Sequence, residues 1–370
     1  MRTRNLWIGL LLLLVSPSGQ PAMAAGPQDD PVLFSFATVG DSSADPETAD
    51  ITAQDRIWLQ NTKVLARVVR EVQSRKPGAF VFNGDMIMGY SADTNMLNRQ
   101  YAYWRGMMAG LMESGTYLLP VPGNHEVQVK DKDAAGKVRK TAIVSGEIAW
   151  RANMGDLILD TNRWQQLMGE VPGAWNPTNA PAIGGADAIQ TDQQQLSYSF
   201  DHKGIHFAVI NTDAVGRDSR APVAWLKQDF EQARVRGAKH FFVFGHKMAF
   251  TYAYSSAVPP KGFDVDSVNQ NQFWDLMEEY DATYFCGHEH IYHSMQPRKA
   301  EGGRSWQVIV GSGGSPFEAA PGESTNPHDR MYAWAYVQIH QSGHVQMDVH
   351  ALDETLGPTR VIEQIELKSK

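Results

Sequence analysis

Apolar positions along the chain alternate between two periods. Val32 to Val39 is a mostly apolar run rich in β-formers, and Gly40 stops it. Ile57, Leu59, Val64, Leu65, Val68, Val69 and Val72 recur at three- and four-residue spacing, which predicts an amphipathic helix over 57–72. Ala79 to Phe82 reads as a short buried strand, Asn95 to Met112 as a helix, and Tyr117 to Val121 as a third strand. Strands separated by helices imply right-handed crossovers and a parallel sheet.

From Val127 to Gln195 the pattern dissolves into polar, Pro- and Gly-punctuated sequence with one helical piece near Arg163 to Met168. A segment of this length inside a domain reads either as an insertion that shapes the rim of a site or as a surface excursion without a role. Regular pattern returns as two alternating runs, Leu196–Phe200 and Ile205–Ile210, about a turn ending in Gly204, which reads as a hairpin. A helix over Pro222–Arg236, a strand over His240–Phe244, a helix over Gln272–Glu279 and a strand over Thr283–Cys286 follow. The runs Trp306–Val310, Ala333–His340 and Val345–Ala351 are expected to be antiparallel, with Ser342-Gly343 as a turn. Nothing in composition divides this stretch. The expectation is one domain over 30–355, including the 127–195 insertion, and a C-terminal tail over 356–370.

Among 370 residues 42% are hydrophobic, which supports a substantial core, and the formal charge of −8 removes the electrostatic basis for a nucleic-acid partner. Arg2 and Arg4, the apolar run Leu6 to Val15 and the small-residue site Ala22-Met23-Ala24 read as a signal peptide over 1–24. The run falls short of the roughly 20 apolar residues that a spanning helix needs. A periplasmic or secreted protein with no stable membrane insertion after cleavage is the expectation. Cys286 is the single cysteine, so no intrachain disulfide forms.

Chemistry enters where the apolar runs end. Gly40-Asp41, Asn83-Gly84-Asp85, Gly123-Asn124-His125-Glu126, Gly245-His246 and Gly287-His288-Glu289-His290 each put oxygen or imidazole donors just past a strand. Taken singly, such turns are ordinary loop or cap chemistry. Taken together they supply carboxylate, amide and imidazole without thiolate, a set suited to zinc, manganese, iron or magnesium. Two carboxylates and several imidazoles exceed the needs of one ion. A bridged pair about 3.5–4 Å apart would clamp an in-line displacement at phosphorus. Glu126 reads either as a support for His125 or as a solvated loop residue. The run Gly311 to Ser315 reads as a turn or as a source of backbone donors to phosphate.

The ordered motif series resembles the calcineurin-like metallophosphoesterases, and within them the purple acid phosphatase branch, over about Val32 to Ala351; Gly123–Glu126 and Gly287–His290 are its most specific pieces. The resemblance implies an α/β fold, a four-layer α/β/β/α sandwich of two mixed sheets flanked by helices. It also implies two metal ions (Fe, Zn or Mn), with Asp85 bridging, Asp41 and His290 on the first ion, and Asn124, His246 and His288 on the second. His125 would contact the substrate phosphate and protonate the leaving oxygen. The sequence departs from the family pattern at Ser43, where many members have a His, and at Met88, where purple acid phosphatases have a Tyr. Tyr90 and Ser43, or Asp45, stand as candidates for an extra ligand to the first ion. The implied activity is hydrolysis of a small phosphate ester, a monoester before a diester of a cyclic nucleotide or lipid head group, through a metal-bound hydroxide. A metal- or phosphate-binding protein with degraded catalysis is the reading of a different class.

Overall fold

The computed structural model describes residues 30–43 and 62–369. The signal segment 1–24, Asp45 and the first turn of the expected 57–72 helix lie outside these residues. Within them, strand β1 (Val32–Val39) is followed by a helix over Thr62–Arg75, strand β2 (Ala79–Phe82), a helix over Thr94–Glu113 and strand β3 (Tyr117–Pro120). The first helix buries Val64, Leu65, Val68, Val69 and Val72, the apolar stripe of its sequence. The second starts where the Asp93 side chain accepts the backbone N–H groups of Asn95 and Met96. β1, β2 and β3 pair in parallel, as the crossovers require.

The first sheet has the order β16-β15-β14-β1-β2-β3, with β14 (Met331–His340), β15 (Val345–Asp353) and β16 (Arg360–Lys368) antiparallel to their neighbours. The segment expected as a tail, 356–370, therefore carries the edge strand of this sheet. Its sequence, RVIEQIELK, alternates polar and apolar residues and buries only part of one face, the pattern of an edge. The second sheet contains the hairpin β6 (Tyr198–His202) and β7 (Ile205–Val209) and, after a short separate ribbon of β8 (Asp213–Ala214) and β9 (Arg217–Asp218), strands β10 (His240–Phe244), β11 (Thr283–Cys286), β12 (Tyr292–Met295) and β13 (Trp306–Val310), in the order β12-β13-β11-β10-β7-β6. β13 departs from expectation. It lies parallel to β11 and antiparallel only to β12, which is too short and polar to read as a strand.

The sheets meet face to face through aromatic rings. Phe36 packs edge-on against Phe207, Phe242, Phe244 and Phe285, with ring centres 5.2–6.0 Å apart. The outer faces are covered by helices. Phe82 meets Trp104 of the Thr94–Glu113 helix on one side. On the other, Phe241 meets Phe230 of a helix over Val223–Val235, and Tyr284 meets Phe273 of a helix over Ser267–Tyr280. The result is the four-layer α/β/β/α sandwich. Its parallel strands β1–β3 and β7, β10, β11 end at the same edge, and every motif of the sequence lies just past one of those ends.

The polar stretch 127–195 is more ordered than its sequence implies. It opens with a hairpin of β4 (Gln128–Lys132) and β5 (Val138–Ala142), closed by hydrogen bonds between Asp133 and Lys137. A helix over Val144–Met154, which buries Trp150 and Met154, precedes the expected helical piece, here Thr161–Met168.

One buried ion cluster joins the second sheet to its helix. His206 of β7 lies between Asp201 (2.7 Å from Nδ1) and Asp229 (3.0 Å from Nε2), fully shielded from solvent. Burial alone would depress the imidazole pKa. Hydrogen bonds to the two carboxylates outweigh it and raise the value above the ordinary 6.5. A raised folded-state pKa stabilises fully below the unfolded value near 6.5 and is lost as pH climbs through the folded value. His206→Gln should cost roughly 3 kcal/mol at pH 6, the scale for breaking a buried charge pair. In urea titrations from pH 6 to 10 the gap to wild type should shrink as pH rises. A pH-independent gap would mean that His206 contributes only packing.

Candidate metal centre

His246 follows β10 and is fully buried. Its Nδ1 donates to the Asn83 carbonyl at 2.8 Å, so Nε2 carries the free lone pair. Around that one atom stand Asn124 Oδ1 at 2.9 Å, His288 Nδ1 at 3.1 Å and Asp85 Oδ2 at 3.2 Å. Four electron-rich atoms this close repel unless a metal ion or a proton lies among them. Asp85, His246 and His288 also satisfy the spacing expected of a metal-holding group.

A second group adjoins the first. His290 Nδ1 donates to the Pro316 carbonyl at 2.8 Å, leaving Nε2 3.6 Å from Asp41 Oδ1. Asp41 accepts the His288 backbone N–H at 3.0 and 3.2 Å, which ties the two groups together. His125 faces Asp85 from another side, Nε2 to Oδ2 at 3.5 Å, with its Nδ1 bound to the Met88 carbonyl at 2.7 Å. The six expected ligands and His125 are thus brought to one edge of the sandwich.

Electrostatics fit the same picture. Burial would lower the His246 pKa, but the Asp85 charge and hydrogen bond, then Asp41 and the Asn83 carbonyl, raise it to about 10. Asp41 is pushed well up by burial and by the charge of Asp85. For Asp85 burial acts upward, and the surrounding imidazoles of His125, His246 and His288 override it and hold the carboxyl far down. His288 and His290 are lowered by burial, so both rings are neutral near pH 7, the form that binds metal. A proton and a metal ion compete for the same His246 lone pair. The donor set, oxygens and imidazole without thiolate, fits zinc, manganese or iron.

The backbone bends sharply to achieve this. Asp41, Asp85 and His288 have φ of 61°, 52° and 70°, a region that costs non-glycine residues energy and concentrates at functional sites. Glycine is required beside them for space. A Cβ on Gly84, at φ 84°, would lie 2.6 Å from His246 Nδ1, and one on Gly287 would lie 2.1 Å from Asp41 Oδ2.

Glu126, ambiguous from sequence, is the buckle of the site. Its buried carboxylate accepts four backbone N–H groups: Gly123 at 2.8 Å, Asp85 at 2.9 Å, Met86 at 2.8 Å and Ile87 at 3.2 Å. It is neither solvated nor in hydrogen bond with the His125 ring. It locks the Asp85 turn to the Asn124 turn. Glu126 stands three residues after Gly123, the register of a capping box, and that was the available signal. The run Gly311–Ser315 also braces a turn, with Gly313 N–H donating to the Gly40 carbonyl and Ser315 N–H to that of Asp41.

The two candidate extra ligands sit elsewhere. The Tyr90 hydroxyl accepts from the Asn124 amide nitrogen, so it orients the Asn124 oxygen toward His246 rather than reaching the Asp41–His290 pair. Ser43 Oγ lies 3.4 Å from Ser315 Oγ, and the Ser315 hydroxyl donates to the Ser43 carbonyl. Above the ligands opens a cavity of about 460 Å³, lined by His125, His288, His290, Lys140, Lys247 and Lys261 among others. Its lysines were not legible from spacing. Lys140 arrives on the β4–β5 hairpin, Lys247 pairs with Asp213 at 2.6 Å and Lys261 with Glu318.

The sequence pattern of the calcineurin-like phosphoesterase family matches residues 39–292. The fold is similar to that of the purple acid phosphatase PPD1 from yellow lupin (Lupinus luteus) seeds, with a TM-score of 0.55 and 14% identity over 92% of this chain and 54% of the lupin chain. The chain thus spans about half the length of the lupin protein. It is also similar to PhoD, with a TM-score of 0.50 and 11% identity over 91% of this chain and 69% of that one. No curated protein sequence matches it.

Glu126→Gln places an NH2 group against backbone donors and loosens the Asp85 turn. Metal affinity should fall roughly 10–100-fold, the scale for supports of metal ligands, in competition titrations with a chromogenic chelator. Wild-type affinity in this variant would show that the Asp85 turn holds its shape without the carboxylate.

Proposed function

Because the chain belongs to the calcineurin-like phosphoesterase family, we propose that it is a phosphoric ester hydrolase, an exported phosphomonoesterase with a two-metal centre. The observation that carries the reading is the convergence of Asp85, Asn124 and His288 on the free Nε2 of His246. Asp85 would be shared between the ions, Asp41 and His290 would hold the first, and Asn124, His246 and His288 the second. Fe, Zn or Mn suits these donors. Ions held there would supply Lewis acidity at the phosphoryl oxygens.

The chain's own groups do the rest. His125 is anchored through Nδ1 to the Met88 carbonyl, which turns Nε2 toward the cavity and the departing oxygen. Burial lowers the His125 pKa to about 4, against the upward pull of Asp85. A free imidazole with that value is neutral at pH 7, so its role as acid depends on protonation with the dianionic phosphate in place or at lower pH. Activity that needs protonated His125 declines as pH rises. Lys140, Lys247 and Lys261 line the cavity, the last two in ion pairs with Asp213 and Glu318. Export rests on Arg2, Arg4, the Leu6–Val15 run and the Ala22-Met23-Ala24 site. No described helix is long and apolar enough to cross a membrane.

His125→Ala should lower kcat on an aryl phosphate by roughly 10²–10⁴, remove the alkaline decline of the pH–rate profile, and leave two metal equivalents by elemental analysis. Asp85→Asn should lose metal as well as turnover. Unchanged turnover in His125→Ala would remove the proton-donor role. A wild type inactive with zinc, manganese and iron would favour a binding protein.

A further inference from the structure

The β4–β5 hairpin carries a charge arrangement that the hydrolytic step does not use. Its register sets Lys130 directly opposite Lys140. Both ammonium groups turn to the Tyr90 ring, 4.4 Å and 4.9 Å from its centre. Like charges directly opposite on antiparallel strands destabilise the pair. The adjacent cross-strand pair has the ordinary form, Asp131 opposite Arg139, and Arg139 also pairs with Asp133 at 3.2 Å. Charge is balanced on one face of the hairpin and doubled on the face toward the cavity.

The other lysines of the cavity are already neutralised, Lys247 by Asp213 and Lys261 by Glu318. Lys130 and Lys140 have no carboxylate partner among the described residues. Tyr90, on which they rest, lies 4.0 Å ring to ring from His125, and Lys140 lines the same cavity as His125. The unpaired charges therefore stand beside His125, on the side of the cavity from which the alcohol would depart.

We infer that Lys130 and Lys140, seated on Tyr90, form a second anion subsite, and that the preferred substrates are phosphate esters whose alcohol portion carries a further anionic group. The placement of the leaving alcohol rests on the phosphomonoesterase reading above; the subsite rests on the hairpin register. An anion between the two ammonium groups relieves their repulsion, and an alcohol without one leaves it in place. The lysines are solvent-exposed, so the gain is moderate and weakens with salt.

The test pairs two probes that differ by one carboxylate. Phenylphosphonate and para-carboxyphenylphosphonate are titrated calorimetrically into metal-loaded wild type and Lys130→Met/Lys140→Met. Turnover of the corresponding phosphate esters is measured beside them. Wild type should bind the carboxylated phosphonate about tenfold tighter at low ionic strength, the double variant should lose that preference, and high salt should erase it. On the esters the double variant should raise KM for the carboxylated substrate about tenfold more than KM for phenyl phosphate. Equal binding of the two phosphonates to wild type, or a preference that survives in the variant, overturns the subsite. Turnover failing while the phosphonate preference holds would count against the hydrolase reading and leave the subsite standing.

Discussion

Everything at the functional edge depends on one desolvated meeting point, the Nε2 of His246. The hydrogen bond from Nδ1 to the Asn83 carbonyl fixes the tautomer and leaves a lone pair facing a carboxylate, an amide oxygen and a second imidazole nitrogen. Such a cluster is costly in a protein interior unless positive charge neutralises it. The fold holds it in place because its members descend from two different sheets, locked together by the aromatic packing around Phe36. Asp85 and Asn124 come from the first sheet, His246 and His288 from the second. The donor cluster thus also joins the two sheets.

Around that point the backbone is strained in the places where donors are presented. Asp41, Asp85 and His288 share a left-handed conformation, and the network that sustains it consists of backbone hydrogen bonds. Glu126 collects four N–H groups from two turns, and Gly313 and Ser315 secure the Asp41 turn from behind. The site is preorganised by groups that would touch neither metal nor substrate. What these groups contribute is positioning and charge, held in place before any ligand arrives.

Substrate contacts follow a different logic. The ligands sit on short turns directly after core strands, whereas the lysines of the cavity rim come from the β4–β5 hairpin and the loops after β10. The rim can vary without disturbing the donor cluster. That separation is common where a rigid scaffold carries a site whose specificity is set by loops. It also accounts for the ordered character of the polar insertion, whose Trp150 and Met154 anchor it to the main core.

Local sequence determined most of the core strands and the main helices, and it put oxygen and imidazole donors at the strand ends, because hydrophobic period and strand-end glycines are properties of neighbouring positions. The stripe from Val64 to Val72 and the turns at Gly84-Asp85 and Gly287-His288 are readable for that reason. Tertiary structure alone decided what depends on partners distant in the chain. It set β13 parallel to β11, turned the segment after Gly357 into an edge strand, buried Glu126 beneath the Asp85 turn, directed Tyr90 to Asn124 and brought Lys130 opposite Lys140. Each of these follows from hydrogen-bond register or from a buried charge finding donors, and neither is encoded in any one stretch of residues.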